Sequence, residues 1–418
     1  MTMWRRFLLA SLLTIPTGLV AAGCSSAGDN LGAGEDDVTN VKQSNVKDQS
    51  TENCWTYASM GWAESLYETA TGKNIDLSES YVTYWHWYDQ ITAGDVSGGV
   101  VEEGGSWGEA ADLMLKYGVM ATKDFVPTDA TKELSDRQAV AVKAINEALK
   151  TGDLKTGAAR RDRAKVRQIM DKAWQLTPEV SAALDATFGA DVSKTLDKAG
   201  ATASKMVIHP ADLPVKLKNP TTKRTDTVTL ADALGTHKSA SDQDHRNGAF
   251  AWNDVAYPRT KATRRDFLKR VQRALADGNP VVVNWYVDFN ALTADGKFLE
   301  PPAKPGSQGG HVVLAVDYQV ENVPGFGTLP AGVVETRPAA LEAALSDQAI
   351  VTFIRIKNSW GTTYHPLPAP AAAGDHDLYL KYLNGPIQEC DLDANDNPKP
   401  GTCVKAIPFE SVVLPAGY

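Results

Sequence analysis

The stretch "QSTENCWTYASMGWAESLYETATG", residues 49–72, decides how the rest of the chain is read. From Trp55 onward, Ala58, Trp62 and Leu66 recur at intervals of three and four, the spacing that lays one face of an α-helix against a core. Gly72 supplies a C-terminal stop and Asn53 a candidate N-cap. Cys54 therefore falls in the first helical turn, where unpaired N–H groups and the helix dipole favour an anion. A thiolate is stabilised in such a place. Three readings are open for it: a buried small hydrophobe, half of a disulfide, or a nucleophile.

The whole chain bounds these readings. With 418 residues, 43% of them hydrophobic, it can bury a large core as one domain with insertions or as two ordinary domains. A formal net charge of −9 argues against nucleic acid as a partner, since such binders carry a basic face. Residues 1–24, "MTMWRRFLLASLLTIPTGLVAAGC", show Arg5–Arg6, an apolar run from Phe7 to Val20 and small residues before a cysteine, the form of a bacterial export signal. The apolar run is shorter than the roughly 18 residues expected of a membrane span. "VAAGC" resembles the lipobox of bacterial lipoproteins, with Ala21 in place of the usual leucine, so lipidation at Cys24 is expected. Membrane contact would then be through that anchor alone. Ser25 resembles the outer-membrane sorting pattern, and ordinary secretory cleavage near Ala21 to Gly23 is the alternative. Residues 25–40 read as a Gly-, Asp- and Ser-rich tether.

Export also permits Cys390 and Cys403, close together in a Pro/Asp/Asn/Gly-rich loop, to pair as a disulfide. Cys54 is then the cysteine left over, and an unpaired thiol in an exported protein points first to catalysis.

Residues 41–127 read as a helical half. After α-helical residues 54–72 come "LSESYVTYWHWYDQI" and "SWGEAADLMLKYGV", whose aromatic density reads as core packing. From about 128 to 260 the composition shifts to Ala, Lys, Asp and Arg, which reads as a mostly helical insertion; "RRDRAKVR" within it reads as a solvated helix face. Residues 261–418 hold a helix and then apolar runs such as "PVVVNWYVDF", "GGHVVLAVDYQV" and "AIVTFIRIKNSW", the pattern of a buried sheet. Helices first and sheet second make the fold class α+β.

A cysteine nucleophile needs a base and a group to orient that base, and both can come from far along the chain. Of seven histidines, His311 stands at a strand start after "QGG", where glycines allow close approach of other segments. Asn358 ends a strand in "IKNSWG"; its side-chain carbonyl can hold a histidine in one tautomer, and Trp360 beside it can shield that bond from water. His86, His209, His237, His245, His365 and His376 lack such a context and read as surface or satisfied core groups.

"VKDQSTENCW", "GGHVVLAVDY" and "IKNSWG" together resemble the cysteine, histidine and asparagine blocks of the papain-like cysteine peptidases, in the same order. Within that family "LSESYVTYWHW", "EEGGSWGEAADLMLKYGVMATKDF" and "LPVKLKNP" look like the bleomycin hydrolase and aminopeptidase C branch. The resemblance implies a papain-like fold, a peptide or protein substrate and no cofactor. It implies Cys54 as nucleophile, His311 as general base and acid, Asn358 as orienter and Gln49 as oxyanion donor beside the Cys54 N–H. Gly104 and Gly105 would line the substrate groove, with Trp360 at the same site. The 257 residues from Cys54 to His311 exceed the family's usual 130–150 by about the size of the insertion.

The chain departs from the family at the loop before Cys54. The Gln49–Cys54 interval is one residue shorter than usual, and "TEN" replaces a turn that contains glycine. "FESVVLPAGY" does not map onto the arm by which the bleomycin hydrolase branch confines cleavage to amino termini. "CDLDANDNPKPGTC" opens like a calcium loop but lacks its sixth-position glycine and closing glutamate, and no H-E-x-x-H spacing occurs, so no metal site is expected. Two rivals to a peptidase are an acyl transferase using the same Cys–His pair and a catalytically silent papain-like fold that serves as a binding module.

Overall fold

The computed structural model describes residues 41–418 except 200–202, 240–241 and 370. Cys24, the export signal and the tether lie outside the described residues. Helix α1 spans Cys54–Thr71 and ends on Gly72, whose left-handed φ of 66° lets its N–H reach back to the Glu68 carbonyl at 2.7 Å. Every residue of α1 from Cys54 to Leu66 is buried. The spacing of three and four found a helix, but the helix is central and enclosed on all sides, so its inward face is not its only apolar contact.

Asn53 does not cap α1 with its side chain. Its amide serves a different purpose: Nδ2 donates to Thr83 Oγ1 at 2.8 Å and to Gln138 Oε1 at 3.0 Å, while its backbone carbonyl accepts from Thr56 N at 2.9 Å. Helix α2, Glu79–Ala93, is capped by Ser78, which accepts from the Tyr81 N–H. Helix α3, Trp107–Tyr117, carries a complete capping box from Ser106 and Glu109. The aromatic residues of α2 and α3 do pack inward; Trp85 stacks on Tyr117 with centroids 3.9 Å apart, and Phe125, Trp174 and Phe188 close around them.

The reading of 128–260 as mostly helical fits only its first part. Helices α4 (Asp136–Lys150), α5 (Arg163–Trp174) and α6 (Pro178–Phe188) fill it to that point. Beyond Met206 the chain turns to strands. Pro214–Lys218 pairs with Thr225–Thr229, Thr236–Ser239 pairs with Asp242–Asn247, and β1 (Trp252–Ala256) belongs to the main sheet. In Pro214–Lys218 burial alternates residue by residue, a period of two that an averaged Ala- and Lys-rich composition conceals. The boundary at 260 therefore falls after the first strand of the sheet.

Helix α7 (Lys261–Ala276) leads into β2 (Val281–Asp288), β3 (Lys297–Phe298), β4 (Gln308–Val323), β5 (Gly327–Leu329), β6 (Ile350–Lys357), β7 (Asp375–Tyr379) and β8 (Phe409–Pro415). The sheet runs β1-β8-β2-β4-β6-β7-β3, with β5 added to β4, and every pairing is antiparallel except β7 with β3. The α+β class follows directly: helices 54–117 lie before the sheet in sequence, and α1 packs against β4 at its centre. Register places His311 opposite Trp285, and pairing of Leu314 with Lys357 brings the residue after β6, Asn358, to the same end.

One half-buried cation ties the segment ahead of α1 to the helices. Lys47 Nζ bonds Glu79 at 2.8 Å and the Leu77 carbonyl at 2.9 Å, with Asp76 at 2.8 Å and Glu64 at 3.6 Å. Burial opposes its charge, and Glu79, Glu64 and Asp76 outweigh burial, so the ammonium titrates well above its ordinary value. Lys47→Met would leave three carboxylates facing one another, and we expect a loss of about 3–5 kcal/mol in urea denaturation at pH 7. Burial already pushes Glu79 up to about 7, so the deficit should shrink towards pH 5 as Glu79 takes up its proton. A loss that stays constant from pH 7 to 5 would contradict this account.

Candidate active site

Cys54 opens α1 and is 8% exposed, with no disulfide partner. Its Sγ accepts from the backbone N–H of Val312 at 3.4 Å, the residue after His311. His311 in turn faces Asn358: its Nε2 donates to Asn358 Oδ1 at 2.8 Å, and the same oxygen accepts from Ser359 N at 2.8 Å. The Ser359 backbone N–H, which can only donate, settles which end of the amide is oxygen. Nε2 therefore carries the hydrogen, and Nδ1 is left with a lone pair able to take a proton.

The ring of His311 is stacked on Trp360, centroids 4.9 Å apart and planes 16° from parallel, and meets Trp285 edge to face at 6.1 Å. Aromatic faces thus keep water from the His311–Asn358 bond. Behind Asn358 lies His376, wholly buried, with Nδ1 3.5 Å from Asn358 Nδ2 and its ring edge-on to Trp360 at 5.2 Å. Burial lowers the His376 pKa to about 4, so the ring is neutral and its Nδ1 can accept from the amide. The sequence held no sign of this placement; only the pairing of His376 with Ile356 across β7 and β6 creates it.

Gln49 joins the same cluster. Its backbone N–H donates to Ser359 O at 2.9 Å, its Oε1 accepts from Ser359 Oγ, and its Nε2 donates to Thr51 O at 2.8 Å. One Nε2 hydrogen is thus committed within the loop, and the amide has a second. Residues 103–105 run beside the loop: Glu52 N donates to Glu103 Oε2 at 2.9 Å and Trp55 Nε1 to Glu103 O at 3.0 Å. Gly104 is exposed; at Gly105 a Cβ would come within 2.6 Å of the Trp55 ring, so only glycine fits. The structure therefore brings Gln49, Cys54, His311, Asn358 and Trp360 together, with Gly104 and Gly105 alongside through Trp55.

Cys390 and Cys403 form a disulfide on a short hairpin, and the Cys390 N–H donates to Gln308 Oε1 at 3.0 Å, next to the start of β4. Asp393 in that loop accepts from the N–H groups of Asn395 and Asn397, a turn that uses its carboxylate internally. Among the described residues there is no group of three or more His, Cys, Asp or Glu side chains able to hold a metal, and no helix long and apolar enough to cross a membrane. His209, His237 and His245 sit on Asp197, Asp112 and Asp242, and His86 on Gln90.

No family model matches the sequence, and no curated protein matches it. Among solved structures, the bromelain protease from Ananas comosus in complex with the E64 inhibitor is 13% identical, with 89% of this chain and 93% of that one covered at a TM-score of 0.31. A recombinant stem bromelain precursor gives 13% identity, 89% and 66% coverage and a TM-score of 0.32. PepW from Lactobacillus rhamnosis HN001 (DR20) gives 11% identity, 91% and 81% coverage and a TM-score of 0.39. Likeness at this level carries no argument about chemistry, which rests on the residues above.

Burial pushes the Cys54 thiol up to about 11, against the pull of the N–H groups of Val312 and Trp55, and burial lowers His311 to about 4 against the pull of Asn358. Each shift is the cost of one charge alone. A proton passing from thiol to imidazole makes two opposite charges at once, and their attraction in a dry site offsets much of both costs. Without the imidazole only the raised thiol remains, with about one thiolate in ten thousand at pH 7. In His311→Ala, iodoacetamide labelling of Cys54 should therefore climb about tenfold per pH unit towards pH 11. The parent protein should label at least ten times faster at pH 6 and change little with pH there. Identical profiles for the two would show that His311 does not govern the thiol.

Proposed function

We propose that this chain is a cysteine peptidase that cleaves peptide bonds through a thioester on Cys54. The observation that carries the reading is the order Asn358–His311–Cys54 in space: an amide oxygen fixes Nε2, Nδ1 is left basic, and the thiol lies at the N–H of the next residue along β4. In the reaction His311 takes the Cys54 proton and the sulfur attacks the substrate carbonyl carbon. The carbonyl oxygen becomes an oxyanion facing the Cys54 N–H and the free Nε2 hydrogen of Gln49, donors of a kind worth about 3–4 kcal/mol each in other enzymes. His311 then protonates the leaving amine. Water, deprotonated by the same ring, attacks the thioester, releases the acid and restores the thiol. Gly104 and Gly105 would bind the substrate backbone, since Gly104 is exposed and neither glycine has a side chain to cover its peptide groups. Residues 1–24 support an exported protein held to the membrane by lipid on Cys24.

The decisive experiment is hydrolysis of a peptide library by the chain lacking residues 1–24, read by mass spectrometry, with Cys54→Ala as control. We expect cuts that fall at least a thousandfold in the control, and their positions will separate trimming of amino termini from internal cleavage. Absence of cuts together with a Cys54 inert to an epoxide inhibitor would sink the proposal.

A further inference from the structure

The loop ahead of Cys54 lacks the glycine its resemblance would supply, yet it is held from outside along most of its length. Residues 133–139, at the start of the segment between the two halves, run beside it. Asp48 N donates to Glu133 O at 2.8 Å, Ser135 N to Asp48 O at 3.2 Å, Ser50 Oγ to Ser135 O at 2.6 Å and Ala139 N to Ser50 Oγ at 3.2 Å. At the end of this zipper stands Gln138, on α4 and wholly buried. Its Oε1 accepts from Asn53 Nδ2 at 3.0 Å and lies 3.4 Å from both the Thr51 and Tyr57 hydroxyls, while its Nε2 donates to Ser80 Oγ at 3.1 Å. Thr51 Oγ1 donates to Asn53 Oδ1 at 2.9 Å and Thr51 O receives Gln49 Nε2, so the Gln138 amide reaches the Cys54 N–H through Asn53, and Gln49 through Asn53 and then Thr51.

We propose that Gln138 is a positioning residue: by holding Asn53, and Thr51 through it, Gln138 sets the direction of the Cys54 N–H and of Gln49 Nε2, and thereby shapes the oxyanion hole. This rests on the peptidase reading above. Within it, the segment between the halves takes over the part that a glycine turn would otherwise play. The physical need is clear, because a donor aimed at a developing oxyanion acts only if held in place before charge appears. An unbraced loop would spend its binding energy on ordering itself.

The test compares Gln138→Leu and Gln138→Glu with the parent protein. Leucine removes the shared acceptor, and glutamate keeps an oxygen at its place. For Gln138→Leu we expect kcat on a peptide substrate to fall about 10–100-fold, KM to stay within about threefold, and a peptide aldehyde, whose adduct carries the oxyanion, to bind weaker by the same factor as kcat/KM. Alkylation of Cys54 by iodoacetamide, which forms no oxyanion, should stay within about threefold, and Gln138→Glu should recover at least tenfold of the lost kcat. Hydrogen exchange in residues 49–53 should quicken in the leucine variant while α1 keeps its protection. An unchanged kcat, a kcat that falls only in step with alkylation, or a glutamate variant no better than leucine would overturn the proposal. If the parent protein cleaves no peptide, the peptidase reading fails by itself, and the exchange data alone judge the clamp: unquickened exchange refutes it.

Discussion

Everything at the site depends on one helix end meeting one strand start. Helix α1 crosses the sheet with its N-terminus at β4, and the contact that records this is the Val312 N–H on Cys54 Sγ. Gly61 lies where the helix meets β4, and a Cβ there would sit 3.4 Å from the Leu314 side chain, an ordinary packing contact. The burial of α1 on every side then keeps the thiol from shifting, because a close-packed interior does not yield by fractions of an ångström without cost. The same packing supplies the first-turn N–H groups that favour negative charge on sulfur.

The electrostatic character of this junction is dry and uncharged at rest. His311, His376 and His86 are all lowered to about 4 by burial, and Cys54 is raised by burial. Neutral rings accept as well as donate, which is what allows the line His376, Asn358, His311 to form with one acceptor and one donor at each step. A charged His376 would turn a donor, Nδ1–H, towards the Asn358 amide hydrogens and would break that order. Elsewhere charge is enclosed with opposite charge at hand, as at Arg355 with Asp377 at 2.8 Å and at Lys47 among its carboxylates.

What was legible in the sequence was local. The apolar spacing after Cys54 and the stop at Gly72 marked α1 to within a residue, and "GGH" and "IKNSW" marked a strand start and a strand end because glycine and β-branched runs act over a few positions. The α+β class followed from the same signals. What was hidden was either a change of period masked by composition, as in the strands from 214 to 256, or a contact across the fold. Position alone makes Asn53 a candidate cap, whereas its partners Thr83 and Gln138 are 30 and 85 positions away. His376 and Gln138 carry no local mark at all, and only register and helix packing bring them to the site.

The separation that hides such contacts also sets a clock. The N–H on the thiol comes from a residue 258 positions downstream, and the orienting amide of Asn358 follows 46 positions after that. At about 5–20 residues per second, roughly 15–60 s pass between the synthesis of Cys54 and that of Asn358. Joining ends so far apart is slow, because the entropy of closing the loop is spent before any contact repays it. Until then Cys54 is the ordinary thiol of a growing chain. The length of the intervening sequence is itself a delay on the assembly of the site.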